Sequence, residues 1–283
     1  MQDKESFFEG HRPELINIAY GMLGNLADAR DIVQDAFIRW DDADKDRINN
    51  PESYLKTIVS RLCIDKFRSA KQQREEYIGP WLPQPVADSE ETLPDSNIEL
   101  HDKLTIALLH VLENLTPDQR AIYLLHDVFG YKFSEIAELV GKKSATCRKA
   151  AQRARQRIDD NNPPEATSFQ QSKQVVEDFI DALRARDMNK LQQLVTDDAI
   201  LYSDGGGKAN AVPKPIESLG KVSQFLINIT EKKADQVTVE PTRVNCRPGF
   251  RAYMDGELHS IWSFDITNGR IRKIFSVLNP DKL

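Results

Sequence analysis

A chain of 283 residues, 40% of them hydrophobic, is long enough for two or three packed domains. No apolar run approaches the ~20 residues that span a bilayer, and the opening MQDKESFFEG lacks a basic stretch followed by an apolar one, so a cytoplasmic protein with no membrane contact is expected. Three scattered cysteines, Cys63, Cys147 and Cys246, argue against a disulfide framework and a zinc site, and five histidines without ligand spacing point to no metal and no cofactor. A net charge of -6 is wrong for a free-standing DNA binder, whose affinity comes largely from neutralising phosphates. The distribution tells more than the sum. Lys142, Lys143, Arg148, Lys149, Arg153, Arg155 and Arg157 form one basic island, and Lys56, Arg61, Lys66, Arg68, Lys71 and Arg74 another that only Asp65 opposes.

From Phe7 to about Arg74 the pattern is helical. Asp28 is a candidate cap for a helix in which Ala29, Ile32, Val33, Ala36, Phe37 and Trp40 recur at helical spacing, leaving Asp31, Gln34, Asp35 and Arg39 on the opposite face. After the loop DDADKDRINNP, Pro51 starts a third helix whose Leu55, Ile58, Val59 and Leu62 point inward, with Thr57, Arg61 and Arg68 roughly opposite.

The stretch YIGPWLPQPV, Tyr77 to Val86, lies in a polar tether that continues with Asp88, Glu90, Glu91, Asp95 and Glu99. Its Trp81, Ile78, Leu82 and Val86 predict a covered segment, and three prolines stiffen it toward an extended form. Beyond it an apolar helix runs from Leu104 to Leu115. Thr116 and Pro117 open another, Ser134 is a candidate cap for EIAELV, Gly141 supplies a turn, and Ser144 is a candidate cap for a last helix. In that last helix Cys147, Ala151, Ala154 and Ile158 form an inward stripe of mainly small residues, while Arg148, Lys149, Gln152, Arg153 and Arg155 project outward. That is a helix-turn-helix suited to a major groove. His110 and His126, on apolar helices, read as core or boundary residues.

At NNPPEA, residues 161 to 166, the composition changes. Three helical segments follow, then alternating strands in which Asp255-Gly256 and Asn268-Gly269 are hairpin signals, so an α+β domain is expected.

DARDIVQDAFIRW, NNPESYLKTIVSRLCIDKFR and the helix-turn-helix resemble regions two and four of bacterial sigma factors of the extracytoplasmic-function type, over roughly the first 160 residues. The remainder resembles a SnoaL-like domain, which one group of these factors carries at the C-terminus. WLPQP, DGGGK at Asp204 to Lys208 and the terminal NPDKL, Asn279 to Leu283, match that group's signatures, with Gln84 standing where the group usually has Glu. The resemblance implies a multidomain chain: two all-α sigma modules, a region-two helical bundle over 1–74 and a region-four helix-turn-helix over 101–160, joined by a linker over 75–100, then a linker over 161–170 and an α+β SnoaL-like domain with a curved antiparallel sheet over 171–283.

It further implies an alternative sigma factor whose partners are core RNA polymerase and promoter DNA. Asp31, Gln34, Asp35 and Arg39 would dock on polymerase. The loop from Asp46 to Tyr54, with Asn50, and Thr57, Ser60, Arg61 and Arg68 would take the -10 element. Lys143, Ser144, Arg148, Lys149, Gln152 and Arg153 would read the -35 element. Trp81, Leu82 and Pro83 would dock on Asp204, Gly205, Gly206, Gly207 and Lys208, with Asn279, Pro280 and Asp281 contributing, so that the C-terminal domain controls the factor and no separate anti-sigma protein is required.

An enzyme remains the first alternative, since SnoaL-like domains include cyclases and isomerases; Asp204, Asp255 and His259 are the candidates by residue type. Asp255 belongs to a hairpin turn and Asp204 begins a glycine run, so no catalytic residue is assigned. A ligand-responsive helix-turn-helix repressor is the second alternative, and an unknown small ligand of the C-terminal domain stays open. GGGK lacks the spacing and the following Ser/Thr of a phosphate loop and is expected to be a contact surface.

Overall fold

The computed structural model describes residues 4–44, 48–74, 77–87, 103–161, 167–233 and 236–283. Asp46, the acidic run from Asp88 to Glu99 and most of NNPPEA lie outside the described residues. The chain divides into two compact units.

In the first unit, α1 (Lys4–Leu23), α2 (Leu26–Asp42) and α3 (Pro51–Arg74) form a bundle. Ala29, Ile32, Val33, Ala36 and Trp40 of α2 are buried, and half-buried Phe37 meets Phe8 edge-on at 5.0 Å. The cap of α2 is Asn25, whose side chain accepts from the Asp28 amide, so Asp28 sits in the first turn instead; Asn25 has the extended backbone a cap requires. Asn50 caps α3 in the same way through the Ser53 amide.

Helices α4 (Ile106–Leu112) and α5 (Pro117–Tyr123) follow. Thr116 and Gln119 form a reciprocal capping box, and one π-helical turn, Leu124–Val128, prolongs α5. The helix-turn-helix is α6 (Phe133–Val140) and α7 (Ser144–Asn161). Ser134 lies inside α6: the Glu135 carboxylate accepts from the Lys132 amide one turn earlier and moves the start forward. Gly141, at φ 67°, turns the chain, and Cys147, Ala151, Ala154 and Ile158 of α7 are buried, as their spacing predicts.

The module of α4 to α7 packs on the bundle around a cation on α5. Arg120, fully buried, donates from Nη2 (3.0 Å) and Nε (3.3 Å) to the Gly21 carbonyl, pairs with Glu113, and lies 4.7 Å over the Phe67 ring. A Cβ on Gly21 would lie 3.3 Å from Leu104 Cδ2, closer than an ordinary contact, so the glycine lets Leu104 pack tightly on α1.

The second unit takes in residues 77–87, 105–107 and 167–283 among those described. Its helices are α8 (Phe169–Ala185), α9 (Met188–Leu194) and α10 (Leu219–Lys233), and its strands β1 (Val195–Asp204), β2 (Ile216–Glu217), β3 (Val237–Val244), β4 (Arg247–Met254), β5 (Glu257–Thr267) and β6 (Arg270–Val277). The sheet order is β2-β1-β6-β5-β4-β3. The sheet is mixed rather than wholly antiparallel, because β1 and β6 run parallel. Helix α10 carries the chain across, so the meander starts at the far edge and its last strand returns beside β1 in the same direction.

One sheet face packs against α8, α9 and α10 through Phe179, Leu191, Val222, Leu226, Phe250, Trp262 and Ile274. On the other, Tyr202, Ile261, Phe275 and Val277 meet Leu82, Ala87, Ile106 and Ala107. The Asp255-Gly256 and Asn268-Gly269 turns have φ of 52° and 85°, and 50° and 72°, as two-residue hairpins of this hand require. A third such turn at Asn245-Cys246, φ 49° and 59°, carries no glycine to announce it.

Candidate functional site

On α2, Asp31, Gln34, Asp35 and Arg39 are exposed, and Ile38, 54% exposed, lies among them. Sequence pattern passed over it because it falls outside the core stripe.

A cavity of about 430 Å³ lies between the end of α2 and the start of α3, lined by Ala43, Asp44, Ile48, Asn49, Asn50, Ser53, Tyr54 and Thr57. Thr57 spends its hydroxyl on the Ser53 carbonyl at 2.6 Å. Arg61 and Arg68 are exposed on α3, but Ser60 is fully buried. Ser60 heads the line Ser60, Ile64, Phe67, and Phe67 lies under Arg120; that second buried face of α3 exists because region four packs there. Arg61 donates to the carbonyls of Glu138 (3.3 Å) and Leu139 (3.4 Å), and Arg68 pairs with Asp118 at 3.0 Å.

Lys143, Arg148, Lys149, Gln152 and Arg153 are exposed, and Ser144, half-buried, begins α7. Lys149 and Arg153, with Lys142, Asp118, Gln119 and Thr146, line a second cavity of about 390 Å³. Burial pushes the Asp118 pKa up, but bonds from Lys142 (3.0 Å) and Arg68 outweigh it and hold the group below the usual carboxylate range. Arg155, expected outward, is tied to Asp127 at 2.6 Å. His126 bonds the Tyr131 carbonyl at 2.7 Å and stacks on Phe133, a structural role.

In the second unit the residues of WLPQP, DGGGK and NPDKL meet around one carboxylate. Asp204, fully buried at the end of β1, accepts from Tyr77 Oη (2.5 Å) and the Gly206 amide (3.1 Å) on Oδ1, and from the Leu82 amide (2.8 Å) and Lys282 Nζ (2.7 Å) on Oδ2. Lys282, 6% exposed, also donates to the Leu82 carbonyl at 2.7 Å and lies 4.2 Å from the centroid of the half-buried Trp81 ring. Leu82 and Pro83 are buried. Burial first, then the Asp204 carboxylate, push the Tyr77 pKa well above its ordinary value, so Tyr77 stays a protonated donor.

The glycine run is a matter of space. Gly206 has φ 59°, and a Cβ on it would lie 2.3 Å from Asn279 Nδ2; on Gly205 it would lie 2.5 Å from the Ala209 carbonyl oxygen. Asn279 donates to Tyr77 Oη at 2.9 Å and caps the short turn Pro280–Lys282 through the Asp281 amide. Lys208 pairs with Asp281 at the surface. Two members escaped the sequence reading, Tyr77 and Lys282, although both stand inside the quoted motifs. A lysine next to a chain end reads as solvated, and only the buried acid across the fold gives it another role.

The sigma-70 region 2 family matches residues 7–73 and the sigma-70 region 4 family residues 105–158. The chain is 32% identical to the ECF RNA polymerase sigma factor SigJ of Mycobacterium tuberculosis, over 98% of this chain and 92% of that protein. It is 29% identical to the probable ECF RNA polymerase sigma factor SigI of the same species, over 98% and 93%. The crystal structure of SigJ superposes with a TM-score of 0.79 at 30% identity, covering 98% of this chain and 97% of that one. Among the described residues no helix is long and apolar enough to cross a membrane. The chain therefore belongs to the extracytoplasmic-function sigma factors, which direct core RNA polymerase to promoter DNA and start transcription there.

Proposed function

We propose that this sigma factor is controlled by its own C-terminal domain, which grips the tether between the two DNA-reading modules. The observation that carries this is the Asp204 cluster: four donors from three separated stretches of sequence converge on one buried carboxylate. Leu82 is held at both its amide and its carbonyl, so the tether is fixed in position as well as covered. With both oxygens of Asp204 occupied, the domain's most buried acid has no proton-acceptor role left, which favours a regulatory domain over a catalytic one. Release of the tether would need no separate anti-sigma protein.

In the same reading Asp31, Gln34, Asp35 and Arg39 dock on polymerase. Asn50, Thr57, Arg61 and Arg68 take the -10 element, with the cavity beside Asn50 able to receive an unstacked base, and the exposed face of α7 reads the -35 element. Run-off transcription by core polymerase plus this protein tests the control: Trp81→Ala should change output from a responsive promoter while leaving core binding intact. Identical output from the two proteins would overturn it.

A further inference from the structure

The tether meets the second unit as a peptide ligand meets a receptor, through backbone groups at two residues four apart. At Leu82 the amide donates to Asp204 Oδ2 (2.8 Å) and the carbonyl accepts from Lys282 Nζ (2.7 Å), so the Asp204–Lys282 pair stands where a neighbouring strand would. At Val86 one residue does both. The Asn245 amide donates to the Val86 carbonyl at 2.8 Å, and Asn245 Oδ1 accepts from the Val86 amide at 3.0 Å. Ala87 then bridges Val244 antiparallel. Leu82, fully buried, is the apolar anchor among Ile261, Phe275 and Val277. Between the two held residues lie Pro83, Gln84 and Pro85. Pro83, Pro85 and Ala87 are buried while Gln84 and Val86 are half-buried, the alternation of an extended chain. Prolines bring no N–H, so this stretch is buried with only the Gln84 amide to satisfy, and their fixed φ lowers the entropy lost on docking.

We infer that the C-terminal domain is a peptide-recognition module whose ligand is an extended, proline-rich apolar segment, and that a second protein offering such a segment displaces the tether and releases the factor. This rests on the tether being held by the domain, and adds the class of partner that frees it. The side-chain demands on the ligand are few: an aromatic ring over Lys282, as Trp81 supplies at 4.2 Å, a buried leucine after it, and prolines one and three places further on. The hydrogen bonds at Leu82 and Val86 read backbone alone, so the site is indifferent to which chain carries the segment. The tether keeps the advantage of effective concentration, on the order of millimolar for a short flexible connection. A partner therefore succeeds by binding more tightly or by being presented at high local concentration.

The test uses the full chain and a fluorescein-labelled peptide of residues 77–87, followed by polarisation. Leu82→Asp empties the site of its own tether, and this chain should bind the peptide at least about tenfold more tightly than the unaltered chain, whose tether competes. Trp81→Ala with Val86→Pro opens the site by a second route, removing the amide that Asn245 accepts from without adding a charge, and should behave alike. Adding Asn245→Gly, which keeps the left-handed turn and removes the acceptor, should weaken peptide binding to either opened chain about fivefold, the worth of one hydrogen bond. The inference is overturned if both opened chains, with their α8 amides still protected, fail to bind, if opened and unaltered chains bind equally, or if Asn245→Gly leaves the affinity untouched. In run-off transcription, unlabelled peptide at a saturating concentration should move the output of the unaltered chain in the direction that Trp81→Ala moves it, and a scrambled peptide should not. Output moved by Trp81→Ala but not by the peptide overturns displacement. Peptide binding with an output that neither of them moves leaves recognition standing and refutes instead the control proposed above.

Discussion

Replacing Lys282 by Met keeps the length of the side chain and removes its charge from the Asp204 cluster. The lysine is 6% exposed and the aspartate fully buried, with Nζ 2.7 Å from the carboxylate and 2.7 Å from the Leu82 carbonyl. Breaking one side of a buried ion pair costs about 3–5 kcal/mol, and the loss of the contact with the Trp81 ring adds about 0.5–2 kcal/mol. Tyr77, the Leu82 amide and the Gly206 amide still satisfy the carboxylate, which places the net cost near the lower bound, about 3 kcal/mol. At about 1.4 kcal/mol per decade this is roughly a hundredfold shift toward the released tether. The Leu82 amide reports it directly, because its hydrogen bond to Asp204 exists only in the docked form. Amide exchange at Leu82 should accelerate about a hundredfold while the amides of α8 keep their protection. A change of less than twofold at Leu82, in a protein whose α8 is intact, would refute the claim that Lys282 holds the tether.

Arg148→Ala should cost about 1–3 kcal/mol of discrimination at one -35 position if the guanidinium reads a base, and weaken all promoters alike if it holds a phosphate; a binding curve unchanged on every promoter removes it from the interface. On α2, Ile38→Asp should weaken core-polymerase binding at least tenfold while leaving thermal stability within about 0.5 kcal/mol, since the side chain is 54% exposed in the free protein. Normal core binding by the folded variant would exclude Ile38 from the docking face.

Most of the helical unit could be read from periodicity, because each helix buries one stripe and the spacing of Ala29, Ile32, Val33, Ala36 and Trp40 or of Cys147, Ala151, Ala154 and Ile158 records it. Caps were less legible. Asn25 and Asp28 are both good cap residues in sequence, and backbone geometry decides between them. Ser60 shows the deeper limit: α3 buries two faces, one against its own bundle and one against region four, and the second contact is too remote in sequence for a helical period to register. The hairpins at Asp255-Gly256 and Asn268-Gly269 were written in turn chemistry, whereas Asn245-Cys246 was not. For the tether, apolar residues and prolines in a polar stretch predicted a cover. The identity of the cover came from short motifs matched to a family, and Lys282 came from neither, since its role depends on an acid 78 residues away.

Arg120 has a consequence for what the protein becomes when its two sigma modules part. Interfaces centred on leucine and phenylalanine leave greasy patches behind when they open, and such patches recruit other chains. Here a guanidinium, a carboxylate and a backbone carbonyl lie beside the Phe67 ring, and water solvates these three well once it enters. Separation hydrates a charge that burial had stripped, which offsets part of the cost of baring the Phe67 ring to water.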